Sequence, residues 1–312
     1  GSSTNLPSLA PMSDRNPTVP NAAERRGTPG HRNPVVNFLG IGVQKAGTTW
    51  LHKMLGAHPE IYVAQGDDKD LRFFNSFYDF GYRWYEAYFA EAKTTHKRGE
   101  FSTSYFYSKD APERVYRYNP EMRLILSLRN PVNRLISHHR HEIRIGNLKG
   151  DLSLQSGLEN NPSYIEQSMY FTQLSRWLDC FSLSQLHIVI FEDLFREPAS
   201  AIRDLYRFLG VEPGFVPEDL SLKVNEGRIP RSWLVDKSVS ASTAAFRRIG
   251  LGWLVDRLKA ARLNKMIETG NTMEDEVMEV SDTDYQRLRA IFASENSSLA
   301  SLLGRDLSVW ED

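Results

Sequence analysis

Three short apolar runs punctuate the first two thirds of the chain, and each is followed by a break and then by an apolar period near 3.6. The runs are Phe38-Leu39-Gly40-Ile41-Gly42-Val43, Met122-Arg123-Leu124-Ile125-Leu126-Ser127-Leu128 and Leu186-His187-Ile188-Val189-Ile190-Phe191. Uninterrupted apolar runs of this length read as strands buried on both faces. After the first comes a helical pattern, Trp50 to Leu55, that stops before Pro59. The second closes in Arg129-Asn130-Pro131, where Asn130 suits an N-cap and Pro131 a first helical residue, with a helix through Leu135 and Ile136 to about His141. After the third, Pro198 opens a helix over Ala201 to Leu209 and Gly210 ends it. Shorter strands are expected at Ile61–Val63 and around Gly99-Glu100-Phe101. The aromatic stretch 77–93 reads as core packing, 151–162 as a polar surface loop, and Tyr164 to Phe181 as one long amphipathic helix. Further helices are expected from Trp253 to Ile267 and from Asp282 to Leu303. Strands alternating with helices from about 35 to 210 predict an α/β fold, a mostly parallel sheet covered on both faces.

Composition narrows this picture. With 312 residues, 41% of them apolar, the chain has ample material for a large core. A net charge of −1 gives no global basic field, so nucleic acid is not an expected partner. A single cysteine, Cys180, excludes an intrachain disulfide and fits a reducing compartment. No run of 18 apolar residues is present and no secretory signal is visible, so the chain is expected not to span a membrane and to be cytoplasmic. Gly1-Ser2-Ser3 reads as an expression scar, which leaves room for a removed leader or anchor. Residues 1–34, with six prolines, read as a disordered tail or linker, and 35–312 as one domain. Such a start would suit a domain cut from a larger protein. Oligomeric state has no sequence signal.

The chemistry gathers at strand ends. Between the first strand and its helix lies Val43-Gln44-Lys45-Ala46-Gly47-Thr48-Thr49. A strand, a tight glycine turn and a helix N-terminus make an anion site, because the first helical N–H groups have no intrahelical partner. Gly47 permits close backbone approach, Thr48 and Thr49 add donors, and Lys45 adds a charge. Gly42 and Gly47 have Walker A spacing, but Thr48 stands where the lysine belongs. Arg129 is placed at the C-terminal end of the second strand, where open α/β sheets bind ligands, with Ser137 two turns into the following helix. Asp70 and Glu100 are carboxylates near the same edge. His138 and His141 share a helix face beside His139, yet no cysteine or carboxylate at suitable spacing completes a metal set.

The loop around Lys45-Ala46-Gly47-Thr48-Thr49-Trp50 resembles the 5′-phosphosulfate loop of sulfotransferases that use 3′-phosphoadenosine-5′-phosphosulfate (PAPS). Leu124 to His138, with Arg129 and Ser137 eight residues apart, resembles the 3′-phosphate motif of the same family. Lys69-Asp70-x-x-Phe73-Phe74, Gly99-Glu100, Phe191-Glu192-Asp193-Leu194 and Leu303-Gly304-Arg305-Asp306-Leu307 match as well. The likeness runs from about 35 to the C-terminus and leans towards the bacterial and heparan-sulfate-type branch. It implies a P-loop-like sulfotransferase fold, PAPS as donor, PAP as product and no metal. It further implies that Lys45, Ala46, Gly47, Thr48, Thr49 and Trp50 hold the 5′ end, and that Arg129 and Ser137 hold the 3′-phosphate. Tyr170 is implied to shape the adenosine pocket, and Gly227 with Arg228 to close over the nucleotide. The heparan-type base is a glutamate, where this chain has the shorter Asp70, and the family histidine two residues on is Arg72. Asp70 is expected to act as the base, with Glu100, His138 and His139 behind it. Arg72 and Phe101 replace family residues in the acceptor cleft and weaken the case for a heparan-like polyanion. A small molecule, a carrier-bound acyl chain, a sugar and a lipid all stand as acceptors, through a hydroxyl before an amine. Two other readings are a P-loop kinase, disfavoured by the misplaced lysine, and an inactive sulfotransferase-like binding module.

Overall fold

In the computed structural model the described residues are 33–64, 70–148, 151–218, 220, 229–230, 272–273 and 280–311. The expected tail therefore lies outside them except for Asn33 and Pro34, as do Gly227, Arg228 and the helix expected at Trp253–Ile267. Five strands, β1 (Phe38–Gly42), β2 (Ile61–Val63), β3 (Lys97–Phe101), β4 (Arg123–Leu128) and β5 (Leu186–Ile190), form one sheet in the order β2-β3-β1-β4-β5. Every neighbouring pair is parallel, as the strand–helix alternation required. Away from this sheet, Ile229–Pro230 pairs antiparallel with Thr272–Met273.

The helices are α1 (Thr48–Gly56), α2 (Tyr82–Glu86), α3 (Ala111–Tyr118), α4 (Pro131–Arg144), α5 (Leu154–Asn160), α6 (Ser163–Glu166), α7 (Tyr170–Leu178), α8 (Phe191–Arg196), α9 (Pro198–Leu209) and α10 (Asp282–Leu303). Side-chain alternation along the strands divides the core in two. Leu39, Ile41, Leu124, Leu126 and Leu128 pack with Leu174 and Trp177 of α7 and Leu299 of α10. Phe38, Ile125 and Phe101 face the other way, against Trp50, Leu51 and Met54 of α1 and Leu205 and Leu209 of α9. Asn130 caps α4 through its side-chain oxygen, which accepts from Val132 and Asn133 N–H at 3.0 and 3.1 Å.

Two expectations are corrected. The polar stretch 151–162 is not a plain loop: Ser153 caps Leu154–Asn160 as a helix by accepting from Ser156 N–H. Nor is Tyr164 to Phe181 one helix; it breaks between α6 and α7. The cause is Arg134, fully buried on α4. Its guanidinium donates to the Tyr164 carbonyl at 2.6 Å, the Gln167 side-chain oxygen at 3.1 Å and Ser168 Oγ at 2.6 Å. In a continuous helix the Tyr164 carbonyl would accept from Ser168 N–H. Here that N–H turns to Ile165 instead. A hydrophobic period cannot announce a buried cation on another helix.

The chain leaves β1 towards β2 and β3 on one side, then returns to β4 and β5 on the other. The loops after β1 and β4 therefore diverge, and the crevice between them is the topological switch point where open α/β sheets bind ligands.

Candidate functional site

Ser127, a fully buried serine in an otherwise apolar strand, fixes the loop after β1. Its Oγ donates to the Ala46 carbonyl, and its own carbonyl accepts from Val43 N–H at 2.9 Å. Lys45 has a φ of 73° and Gly47 a φ of 80°, so the backbone turns twice through the left-handed region. A Cβ on Gly47 would also stand 2.9 Å from the Phe191 ring. Only glycine satisfies both constraints. The Gly47 carbonyl accepts from Trp50 and Leu51 N–H, which leaves the Thr48 and Thr49 amides ahead of the first intrahelical bond, with no side-chain cap over them. Thr48 is buried, Thr49 exposed, and Trp50 packs into the core beneath α1.

Arg129 emerges from β4 beside this loop. It donates to the Lys45 carbonyl at 3.3 Å, and its guanidinium lies 4.7 Å from the centre of the Phe191 ring. The turn behind it is tied down from three directions. Glu192 accepts from Asn130 N–H at 2.9 Å and from the Trp310 indole at 3.0 Å, and Asn130 donates to the Trp310 carbonyl. Tyr170, buried, donates its hydroxyl to the Arg129 carbonyl at 2.9 Å. This bond makes Tyr170 a support of the turn that carries Arg129. Ser137 is half-buried one face along α4.

The electrostatics of the crevice are one-sided. Burial, then Arg144, then Arg129 bring the Lys45 pKa down to about 8. Burial, then the neighbouring cations Arg134 and Lys45, hold His138 down to about 3. Burial, Lys45 and Arg144 hold His141 down to about 4. Both imidazoles are neutral near pH 7. Among the described residues, the charges that shift Lys45, those of Arg144 and Arg129, are positive, an arrangement suited to an anion.

Of the two histidines kept in reserve as bases, His139 is committed to other partners, whereas the buried His138 Nδ1 has no hydrogen-bond partner among the described residues. His139 Nδ1 meets the Tyr164 hydroxyl at 3.1 Å and Nε2 the Leu152 carbonyl at 3.0 Å. With a carbonyl as its only partner, Nε2 carries the proton. The His138 ring packs edge-on to Tyr164. His141 Nδ1 lies 2.8 Å from Arg144 and accepts its N–H. Among the described residues there is no cluster of three or more metal-ligating side chains.

At the neighbouring strand β3, Asp70 and Glu100 occupy different layers. Asp70 is half-buried, and its Oδ2 accepts from both the N–H and the Oγ1 of Thr103 at 2.9 Å. Glu100 has no exposed surface. It accepts from Ser102 Oγ and Tyr105 Oη at 2.8 Å, and burial pushes its carboxyl up to about 8 despite these donors. As a reserve base it cannot touch an acceptor. Phe101 is corrected as well: strand alternation turns it beneath α1 and leaves it 1% exposed. Arg72 does stand at the surface, its guanidinium 5.6 Å from the Phe77 ring.

Sequence reasoning assigned no role to Ser127, Thr103, Glu192, Trp310, Arg134 or Arg144. A lone serine in Leu124-Ile125-Leu126-Ser127-Leu128 was the one readable signal, since a buried hydroxyl needs a partner. The others act through contacts between distant segments.

A family model described as a sulfotransferase domain matches residues 37–226. Heparan sulfate glucosamine 3-O-sulfotransferase 5 of Mus musculus is 28% identical over 199 residues, 60% of this chain and 57% of that protein. Bifunctional heparan sulfate N-deacetylase/N-sulfotransferase 2 of Homo sapiens is 31% identical over 200 residues, 56% of this chain and 22% of that protein. The chain thus matches a little over half the length of the first and about a fifth of the second. The crystal structure of a sulfotransferase from Alicyclobacillus acidocaldarius shares the fold, with a TM-score of 0.62 at 24% identity, over 89% of this chain and 99% of that one. With more than half of its length matched by the family model, the chain belongs to the sulfotransferase domain family.

Proposed function

We propose that this chain transfers a sulfuryl group from PAPS to a hydroxyl of its acceptor, with Asp70 as general base. The observation that carries the reading is the convergence of Lys45, the first amides of α1 and Arg129 at the ends of adjacent strands β1 and β4, with the cations Arg144 and Arg129 acting on Lys45. That donor set fits a nucleotide with phosphate at two ends. The Thr48 and Thr49 amides and Lys45 would hold the 5′ end, and Arg129 and Ser137 the 3′-phosphate, the guanidinium by a planar fork. PAPS, when bound, supplies the sulfuryl group. Lys45, charged below about pH 8, offsets negative charge gathering beside it. Asp70, on the β3 side of the same edge, takes the acceptor's proton. Gly227 and Arg228 remain the proposed closing loop. The names of the relatives favour a sugar among the acceptor classes.

Calorimetry without added metal, comparing PAP with ATP–Mg²⁺, is the first test. Binding of PAP that weakens on Arg129→Ala is the expected result; preference for ATP–Mg²⁺ would sink the reading. A panel of 4-nitrophenyl glycosides and acyl-carrier thioesters, with labelled PAPS as donor, then searches for turnover. Asp70→Asn should abolish that turnover by on the order of a thousandfold while PAP binding stays intact.

A further inference from the structure

We propose that Thr103 is the positioning residue for the general base, fixing the Asp70 carboxylate to the end of β3 beside the loop that carries Lys45. The inference rests on the reading of Asp70 as base. An aspartate carboxyl hangs from one methylene, so its direction follows its hydrogen bonds closely. Here two donors of one residue, the N–H and Oγ1 of Thr103, reach the same oxygen, Oδ2, at 2.9 Å. The adjoining residue repeats the tie: Ser102 Oγ accepts from Arg72 N–H at 2.8 Å and donates to Glu100 at 2.8 Å. Arg72 has a φ of 51°, so the backbone turns sharply just beyond Asp70. Consecutive residues of one strand end thus hold residues 70 and 72 of another segment.

Thr103 also faces the donor side. A Cβ on Gly42, whose φ is 152°, would stand 3.2 Å from the Thr103 carbonyl and 2.9 Å from Phe106 Cβ. Gly42 is the last residue of β1, and the Lys45 loop begins at the next residue. Ser102 N–H donates to the Gly40 carbonyl, and Phe106 N–H to that of Ile41. One short segment, 102–106, therefore touches both the root of the Lys45 loop and the Asp70 carboxylate. Placement of a reacting group to within fractions of an ångström is worth orders of magnitude in rate. Thr103 supplies it for an acid shorter than glutamate.

The test compares Thr103→Val, Thr103→Ser and Asp70→Asn. On whichever acceptor of the panel is turned over, Thr103→Val lowers kcat by about ten- to a hundredfold. KM for PAPS and the Kd of PAP stay within about twofold, and Thr103→Ser recovers most of the rate. Thr103→Ala replaces the valine variant if that chain does not fold. An acceptor-independent reading comes from carboxyl-carbon NMR of aspartate-labelled protein. The Asp70 resonance, identified by its loss in Asp70→Asn, moves in Thr103→Val and returns in Thr103→Ser. An unmoved resonance, or a Thr103→Val enzyme as fast as wild type while Asp70→Asn is inactive, overturns the inference and leaves the base standing. An active Asp70→Asn enzyme overturns both.

Discussion

At the crevice between β1 and β4, backbone does most of the holding; at the end of β3, side chains do. In the crevice, Ser127, Gly47 and Asn130 shape main-chain turns, and the cations Arg129 and Arg144 act on Lys45 by proximity. At β3, one carboxylate is fixed by a threonine and a second is buried beneath it in a cage of hydroxyls. The first arrangement depends on chain geometry that few substitutions can imitate. The second depends on individual hydroxyl and amide donors, which single substitutions can remove. On the proposed function, donor recognition and acceptor chemistry rest on different kinds of structure within one sheet edge.

Removing Lys45 tests the crevice hardest. Lys45→Ala is expected to weaken PAP binding by about ten- to a hundredfold, the range for losing a charge-assisted bond, and to reduce turnover further. The wild type adds a pH signature. Its ammonium is lost as pH rises through about 8, so affinity for the anionic nucleotide falls above that pH. Titration calorimetry between pH 7 and 9 should show this slope, and the Lys45→Ala chain should lack it. A slope of equal size in the variant would detach it from Lys45.

The β3 side predicts an effect on folding. The Glu100 carboxyl ionises at about 8 in the fold against an ordinary 4.5. Below about pH 4.5 both folded and unfolded chains hold the proton and the group contributes nothing. Between the two values only the unfolded chain ionises, so stability declines as pH rises, by up to about 1.4 kcal/mol per pH unit, and levels off above about 8. Glu100→Gln removes that decline. Urea unfolding at pH 5, 6.5 and 8 checks it; parallel curves for both proteins would mean that Glu100 ionises freely in the fold.

The smallest effect is expected at Ser127. Ser127→Ala loses one bond to the Ala46 carbonyl and keeps the Val43 bond to its own carbonyl. A net loss of about 1 kcal/mol corresponds to PAP binding roughly fivefold weaker. Unchanged affinity would show that the glycine turn holds the loop unaided.

Legibility in the sequence followed the same division. β1, β4 and β5 stood out as apolar runs, and the α4 cap stood out in Asn130-Pro131, because such signals are local. Lys45, Gly47 and Arg129 could be placed because each lies at a strand end. Glu100 and Phe101 are adjacent in a strand, and the sequence offered no way to assign their depth: one proved to lie in a polar cage and the other beneath α1. Thr103 was invisible because its partner is 33 residues away. The break between α6 and α7 was hidden for the same reason, its cause being on α4.

That break has a consequence for how the molecule opens. Arg134 substitutes a guanidinium for a rung of the main-chain ladder, and its three partners span Tyr164 to Ser168. Separating α4 from this segment would strand a buried cation together with its acceptors, a loss that costs several kcal/mol. In amide exchange, the Ile165–Ser168 amides and the middle of α4 should therefore exchange together, as one cooperative unit despite lying in separate helices.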